Sequence, residues 1–165
     1  MDGDVGKIKQ HLFTIKSETE IILINRQLFA IAVFHLPGSS HQGDDVAIVA
    51  CGEMVLYAKR AAELLKAKGI SATVLDMYCV KPLDKDAVIE AAKNAKSVIT
   101  VEEHSPIGGL GSMVAQVVSE SCPRKCITMA LPDAPVITGN SKEVFEYYHL
   151  TAEGIAAKAE EALHG

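Results

Sequence analysis

Tryptophan is absent and aromatic residues make up 5% of the 165 residues, which leaves little material for the base-stacking surfaces of single-strand nucleic-acid binders. Basic excess is missing too. Sixteen Lys and Arg against 21 Asp and Glu give a formal net charge of −5, so no positive stripe is available to neutralise phosphates along a duplex or on an anionic membrane. No apolar run is long: the longest, from Ile21 to Phe34, is interrupted by Asn25, Arg26 and Gln27 and falls short of the roughly 20 residues that cross a bilayer. The first residues, Met1-Asp2-Gly3-Asp4, are acidic where a secretory leader is basic. The expectation is a cytoplasmic protein without an export signal. Cysteine is sparse, and Cys51 and Cys79 lie in apolar runs rather than in a bridged, loop-rich scaffold, so four reduced thiols are expected. Cys122 and Cys126 have a C-x-x-x-C spacing that serves a metal only with a His or a second pair nearby; they read as incidental thiols around a turn at Pro123. No G-x-S-x-G occurs, which sets hydrolase-type serine catalysis aside.

What is present is apolar material, 48% of the chain, enough for one core of ordinary domain size. From Gly43 onward short β-branched runs alternate with longer amphipathic stretches, the pattern of βαβ units around a parallel sheet. Val46–Ala50, Ser71–Met77, Ser97–Val101 and Cys126–Ala130 read as strands. Between them Met54, Val55, Ala58, Ala61, Ala62 and Leu65 form one helical face, Ala87, Val88, Ala91 and Ala92 a second, and Leu110, Met113, Val114, Val117 and Val118 a third. Gly69 supplies a left-handed helix end, and Asp84 a helix cap. Two short helices follow Asn140, with Glu143 placed for a capping box, and Thr151, with Ile155, Ala156, Ala159 and Leu163 inward. The charges of Lys85, Asp86, Lys93 and Lys96 read as a solvated face. Residues 1–42 lack this rhythm. Glu20–Ile24 and Leu28–Phe34 fit either two strands about a turn or one helix, and residues 37–43, Pro-Gly-Ser-Ser-His-Gln-Gly, read as a linker. The expected division is an N-terminal extension with linker over 1–42 and a domain over 43–165, the first 36 residues standing apart from the main sheet.

Ligands in open parallel sheets collect outside the carboxyl ends of strands. The third strand after Gly43 ends in Glu102-Glu103-His104-Ser105-Pro106-Ile107-Gly108-Gly109-Leu110-Gly111-Ser112, a polar turn whose glycines open a helix. Backbone N–H groups there suit a phosphate or carboxylate, whereas the same glycines also serve a tight turn and close packing with nothing bound. Glu102 and Glu103 would repel an external anion. His104 beside them is either a proton shuttle or a capping or partner-facing residue, with no nucleophile next to it. The candidate interface or anion site is therefore Glu102, Glu103, His104, Gly108, Gly109, Gly111 and Ser112, with no residue assigned to catalysis.

The runs Val46-Ala-Ile-Val-Ala-Cys-Gly52, Val80-Lys-Pro-Leu-Asp84, Val101-Glu-Glu-His104, Gly108-Gly-Leu-Gly-Ser112 and Leu150-Thr-Ala-Glu-Gly-Ile155, in this order and spacing, resemble the C-terminal domain of transketolase-like thiamine diphosphate enzymes. The likeness covers about Gly43 to Leu163 and is nearest to the C-terminal section of split transketolases; deoxyxylulose-phosphate synthase and the β subunit of 2-oxoacid dehydrogenases carry similar domains. The resemblance implies an α/β, three-layer open sheet of about five mostly parallel strands with helices on both faces. It also implies a place in an oligomeric enzyme that moves two-carbon ketol units between sugar phosphates with thiamine diphosphate and Mg²⁺. In that family the cofactor lies between the two preceding domains, bound by a G-D-G motif. Here Gly3-Asp4 and Gly43-Asp44 both lack the second glycine. The expectation is thus a section that binds no cofactor itself and relies on an N-terminal transketolase section that does, with no nucleic acid or membrane partner. A regulatory small-anion-binding domain is the alternative.

Overall fold

The computed structural model describes residues 20–26, 29–36 and 44–164. The strands are β1 (Glu20–Arg26), β2 (Phe29–Leu36), β3 (Asp44–Ala50), β4 (Ala72–Asp76), β5 (Ala95–Val101) and β6 (Lys125–Met129); the helices are α1 (Met54–Ala67), α2 (Lys85–Asn94), α3 (Leu110–Ser121), α4 (Ser141–Tyr147) and α5 (Ala152–His164). They build one sheet of order β1-β2-β4-β3-β5-β6. The four strands β4, β3, β5 and β6 are parallel, and β1 and β2 are antiparallel additions at one edge.

Alternation along each buried strand divides the core into two layers. Val46, Ile48 and Ala50 of β3, with Val74 and Ile99, pack against Met54, Ala58 and Leu65 of α1 and Ile155 and Ala159 of α5. The intervening residues Ala47, Val49, Leu75 and Val98 pack against Val88 and Ala92 of α2 and Val114 and Val118 of α3. Both faces of β3, β4 and β5 are covered, which is why these segments read as nearly continuous apolar runs.

Local signals place the helix ends. Asp84 accepts from Ala87 N at 2.9 Å. Asn140 and Glu143 close their capping box, each side chain accepting from the other's backbone. Gly69 takes φ 77°, the left-handed conformation a helix end needs. On α5, Leu163 is half-buried rather than inward, and Ala162 is buried beside it.

The three-layer α/β expectation holds, with two differences at one edge of the sheet. The sheet has six strands rather than about five, and residues 20–36 do not stand apart from it. Phe29–Leu36 pairs with β4 from Ala32↔Asp76 to Leu36↔Ala72 and with Glu20–Arg26 on its other side, so of the two alternatives for the apolar run the two strands hold, and they extend the sheet. Residues 37–43, expected as a linker, lie outside the described residues.

At the amino end of the parallel strands, Asp45 ties three segments together. Its Oδ2 accepts from Ser71 N and Ser71 Oγ at 2.9 and 3.0 Å, its own N–H donates to Ser71 Oγ, and Lys96 Nζ reaches its Oδ1 at 2.7 Å. Burial acts to raise this carboxyl, but the hydrogen bonds from Lys96 and Ser71 outweigh it and hold the group below its ordinary value. A depressed native pKa gives stability that is present above the unfolded value and disappears as pH falls through the native one. Asp45→Asn is expected to cost about 1–2 kcal/mol at pH 7 in urea unfolding, and its deficit against the wild type is expected to shrink below about pH 4.

Candidate functional site

Strand order reverses between β3 and β5, whose neighbours β4 and β6 lie on opposite sides, so the crevice at the carboxyl ends of these two strands is the expected ligand position. Past Val101 the ladder continues for one more bond, Glu102 N to Met129 O at 3.1 Å. Glu102 is 2% exposed, and its two oxygens are used separately. Oε2 accepts from Leu110 N at 2.7 Å and Oε1 from Gly111 N at 2.8 Å. These are the first two N–H groups of α3, which have no partner within the helix, and the N-cap residue, Gly109, has no side chain to supply one. The carboxylate thus makes charge-assisted bonds at the positive end of the helix dipole.

The glycines around it have different reasons. Gly108 takes φ 75° with open space around it, so the turn requires a left-handed residue. Gly109 has φ −86°, open to any residue, but a Cβ there would lie 2.1 Å from Glu102 Oε2 and 2.7 Å from Ser105 O. At Gly111 a Cβ would come within 2.5 Å of Thr128 Cγ2 and 2.8 Å of Thr100 Oγ1, where α3 crosses β5 and β6. One glycine makes the turn, one admits the carboxylate, and one seats the helix on the sheet.

The loop between Glu102 and α3 is tied to itself. Ser112 Oγ donates to Pro106 O at 2.6 Å and accepts from Gly108 N at 3.0 Å. Ser105 Oγ donates to Asp133 Oδ1 at 3.1 Å and accepts from Ile107 N at 3.3 Å. Between these bonds the Ile107 side chain is 70% exposed. His104 is exposed; its Nδ1 lies 3.1 Å from Ser105 O, and its carbonyl accepts from Leu131 N at 3.0 Å. It is held as a loop residue by these contacts. Glu103 is exposed, its Oε1 3.5 Å from the position a Cβ would take on Gly52 across the crevice.

Acidic groups gather around the crevice. The Cys51 thiol, next after β3, is pushed up to about 11, first by burial and then by the charges of Glu102, Glu103 and Asp76. It stays protonated and unreactive at neutral pH. Burial also raises the Asp76 carboxyl. Cys122 is buried with its Sγ toward Ile89 O, Cys126 is half-buried with its pKa raised by burial, and all four cysteines are free thiols.

All seven expected site residues thus fall on one loop and helix start. The reading of Glu102 misses what it does: it fills the anion position as the protein's own anion instead of guarding it. The available signal is a glycine N-cap with no acceptor of its own, preceded within nine residues by a carboxylate leaving a buried strand. These residues do not fit a magnesium-bound diphosphate. The helix end is taken by Glu102, and among the described residues no three His, Cys, Asp or Glu side chains are grouped to hold a metal ion.

A family model described as transketolase, C-terminal domain, matches residues 39–155. The chain is 45% identical over 117 residues to one subunit of the apulose-4-phosphate transketolase of Phocaeicola vulgatus, a match covering 71% of this chain and 37% of that protein. It is 41% identical over 121 residues to the 1-deoxy-D-xylulose-5-phosphate synthase of Heliobacterium modesticaldum, covering 73% of this chain and 19% of that one. Among solved structures, a split-gene transketolase described as an inactive β4 tetramer superposes with a TM-score of 0.67 at 41% identity, covering 78% of this chain and 43% of that chain. In each case the chain spans less than half of its relative's length. With most of its described residues inside the matched segment and the three-layer fold to go with it, this chain belongs to the transketolase C-terminal domain family.

Proposed function

We propose that this chain is the C-terminal, non-catalytic section of a transketolase-like enzyme that transfers two-carbon ketol units between sugar phosphates. In this reading thiamine diphosphate and Mg²⁺ are held by a partner N-terminal section, and the assembly is an oligomer in the cytoplasm. The observation that carries it is the 45% identity to one subunit of a transketolase, combined with a match covering only 37% of that subunit. The loop Glu102–Ser112 supports an interface role: its polar groups are largely satisfied internally, and it holds an apolar side chain outward without needing a ligand for order. The anion-binding alternative is the weaker reading, because an external anion must displace Glu102 from two short hydrogen bonds. No described helix is long and apolar enough to cross a membrane.

The test is an assay of the purified chain with thiamine diphosphate, Mg²⁺ and a panel of ketose phosphate donors with aldose phosphate acceptors. The expected result is no ketol transfer by this chain alone, and transfer when a cofactor-bearing N-terminal transketolase section is added. Turnover by the unaccompanied chain would refute the proposal.

A further inference from the structure

Among the described residues the two most exposed large hydrophobic side chains are Tyr78, at 78%, and Ile107, at 70%. Both stand at the carboxyl end of the parallel strands, Tyr78 two residues after β4 and Ile107 six residues after β5. β4 and β5 are the two neighbours of β3, so the loops that carry these side chains flank the crevice where β3 ends. Scattered apolar residues on a surface are ordinary; an aromatic and a branched aliphatic group held outward on either side of one crevice suit the apolar centre of a protein interface.

The end they share is acidic. In its loops the exposed ionic side chains are Glu53, Glu103 and Asp133 against Lys81, with the His104 ring beside them. Half-buried Asp76 and buried Glu102 add negative charge from behind, and their charges, with that of Glu103, are felt together at the Cys51 thiol. A second copy of this chain would bring this negative end against itself, whereas a partner bearing cations complements it. Arginine suits it best, since one guanidinium both pairs with a carboxylate and stacks on an aromatic face.

The face is also built before any partner arrives. Leu131 N–H donates to His104 O, and Ser105 Oγ to Asp133 Oδ1, tying the loop after β5 to the loop after β6. Ser112 fixes the turn that presents Ile107. A preordered patch loses little loop freedom on association. β1 and β3 both enter the sheet at its amino end, so residues 1–19 and 37–43, which lie outside the described residues, attach at the opposite end of the molecule.

We propose that the carboxyl end of the sheet is the face that docks the partner N-terminal section, and that the partner meets it with an arginine-bearing surface whose apolar recesses take Tyr78 and Ile107. This rests on the reading of the chain as an enzyme section, and adds which face engages and by what chemistry.

The experiment is calorimetric titration of the full chain with an N-terminal transketolase section loaded with thiamine diphosphate and Mg²⁺, run beside the ketol-transfer assay. The wild type is expected to bind, about tenfold more weakly when salt rises from about 0.05 to about 0.5 M. Tyr78→Ala and Ile107→Asp are each expected to weaken binding about tenfold or more, and Glu103→Lys about fivefold. Lys93→Glu, at the opposite end of the sheet, is expected to change it less than about twofold. Unchanged thermal unfolding of the three carboxyl-end variants separates lost docking from lost fold. Binding and transfer that survive all three changes overturn the docking face and leave the section assignment standing, and an affinity indifferent to salt overturns the cationic partner surface. A wild type that neither binds the section nor supports transfer with it overturns both readings.

Discussion

Glu102→Ala is expected to lower the stability of the described fold by about 3–5 kcal/mol in urea unfolding at pH 7. The figure follows from two hydrogen bonds to an ionised acceptor at roughly 1.5–3 kcal/mol each, together with two N–H groups left inside a buried pocket. Replacement with a smaller side chain also opens space under α3, which adds to the loss. Glu102→Gln keeps the shape but offers one acceptor and turns an amide N–H₂ toward the second donor, so it is expected to lose about half as much. A loss under about 1 kcal/mol for Glu102→Ala would show that water serves α3 as well as the carboxylate does.

Gly109→Ala is the second large effect, expected at about 2–4 kcal/mol. Backbone strain does not contribute, since φ −86° suits alanine. The cost is steric, because the new methyl would sit 2.1 Å from Glu102 Oε2 and force the carboxylate from its donors. The two substitutions should therefore be coupled. In the Glu102→Ala background the added cost of Gly109→Ala is expected to fall by more than half, the remainder coming from the approach to Ser105 O at 2.7 Å. Additive costs in a double-mutant cycle would mean that Gly109 is needed for something other than admitting Glu102.

Much of the domain from β3 to α5 is legible in the sequence because its determinants are local. The caps at Asp84 and Asn140 are three-residue signals, and the faces of α1, α2 and α3 repeat at the helical period. The Ile21–Phe34 run is not decidable that way, because alternation and helical period are indistinct over short stretches made almost wholly of apolar residues. Its pairing with β4 is a contact across roughly forty residues of chain, which composition does not encode. Glu102 escapes for a related reason. Its charge suggests solvent, since unpaired carboxylates are seldom buried. What reverses that expectation is the ladder bond to Met129 O and the seating of α3 over Thr128, both brought there by β6, far along the chain. The role of Ser105 and Ser112 in bracing Ile107 becomes visible only once Asp133 and Pro106 are in place.

The sharpest check on the central claim is calorimetric titration of the full chain with thiamine diphosphate in the presence of Mg²⁺. With the start of α3 already holding Glu102 and no metal-ligating group assembled among the described residues, the expected trace is heat of dilution alone, with no saturation up to millimolar ligand. A saturable isotherm in the micromolar range, abolished by withholding Mg²⁺, would contradict it.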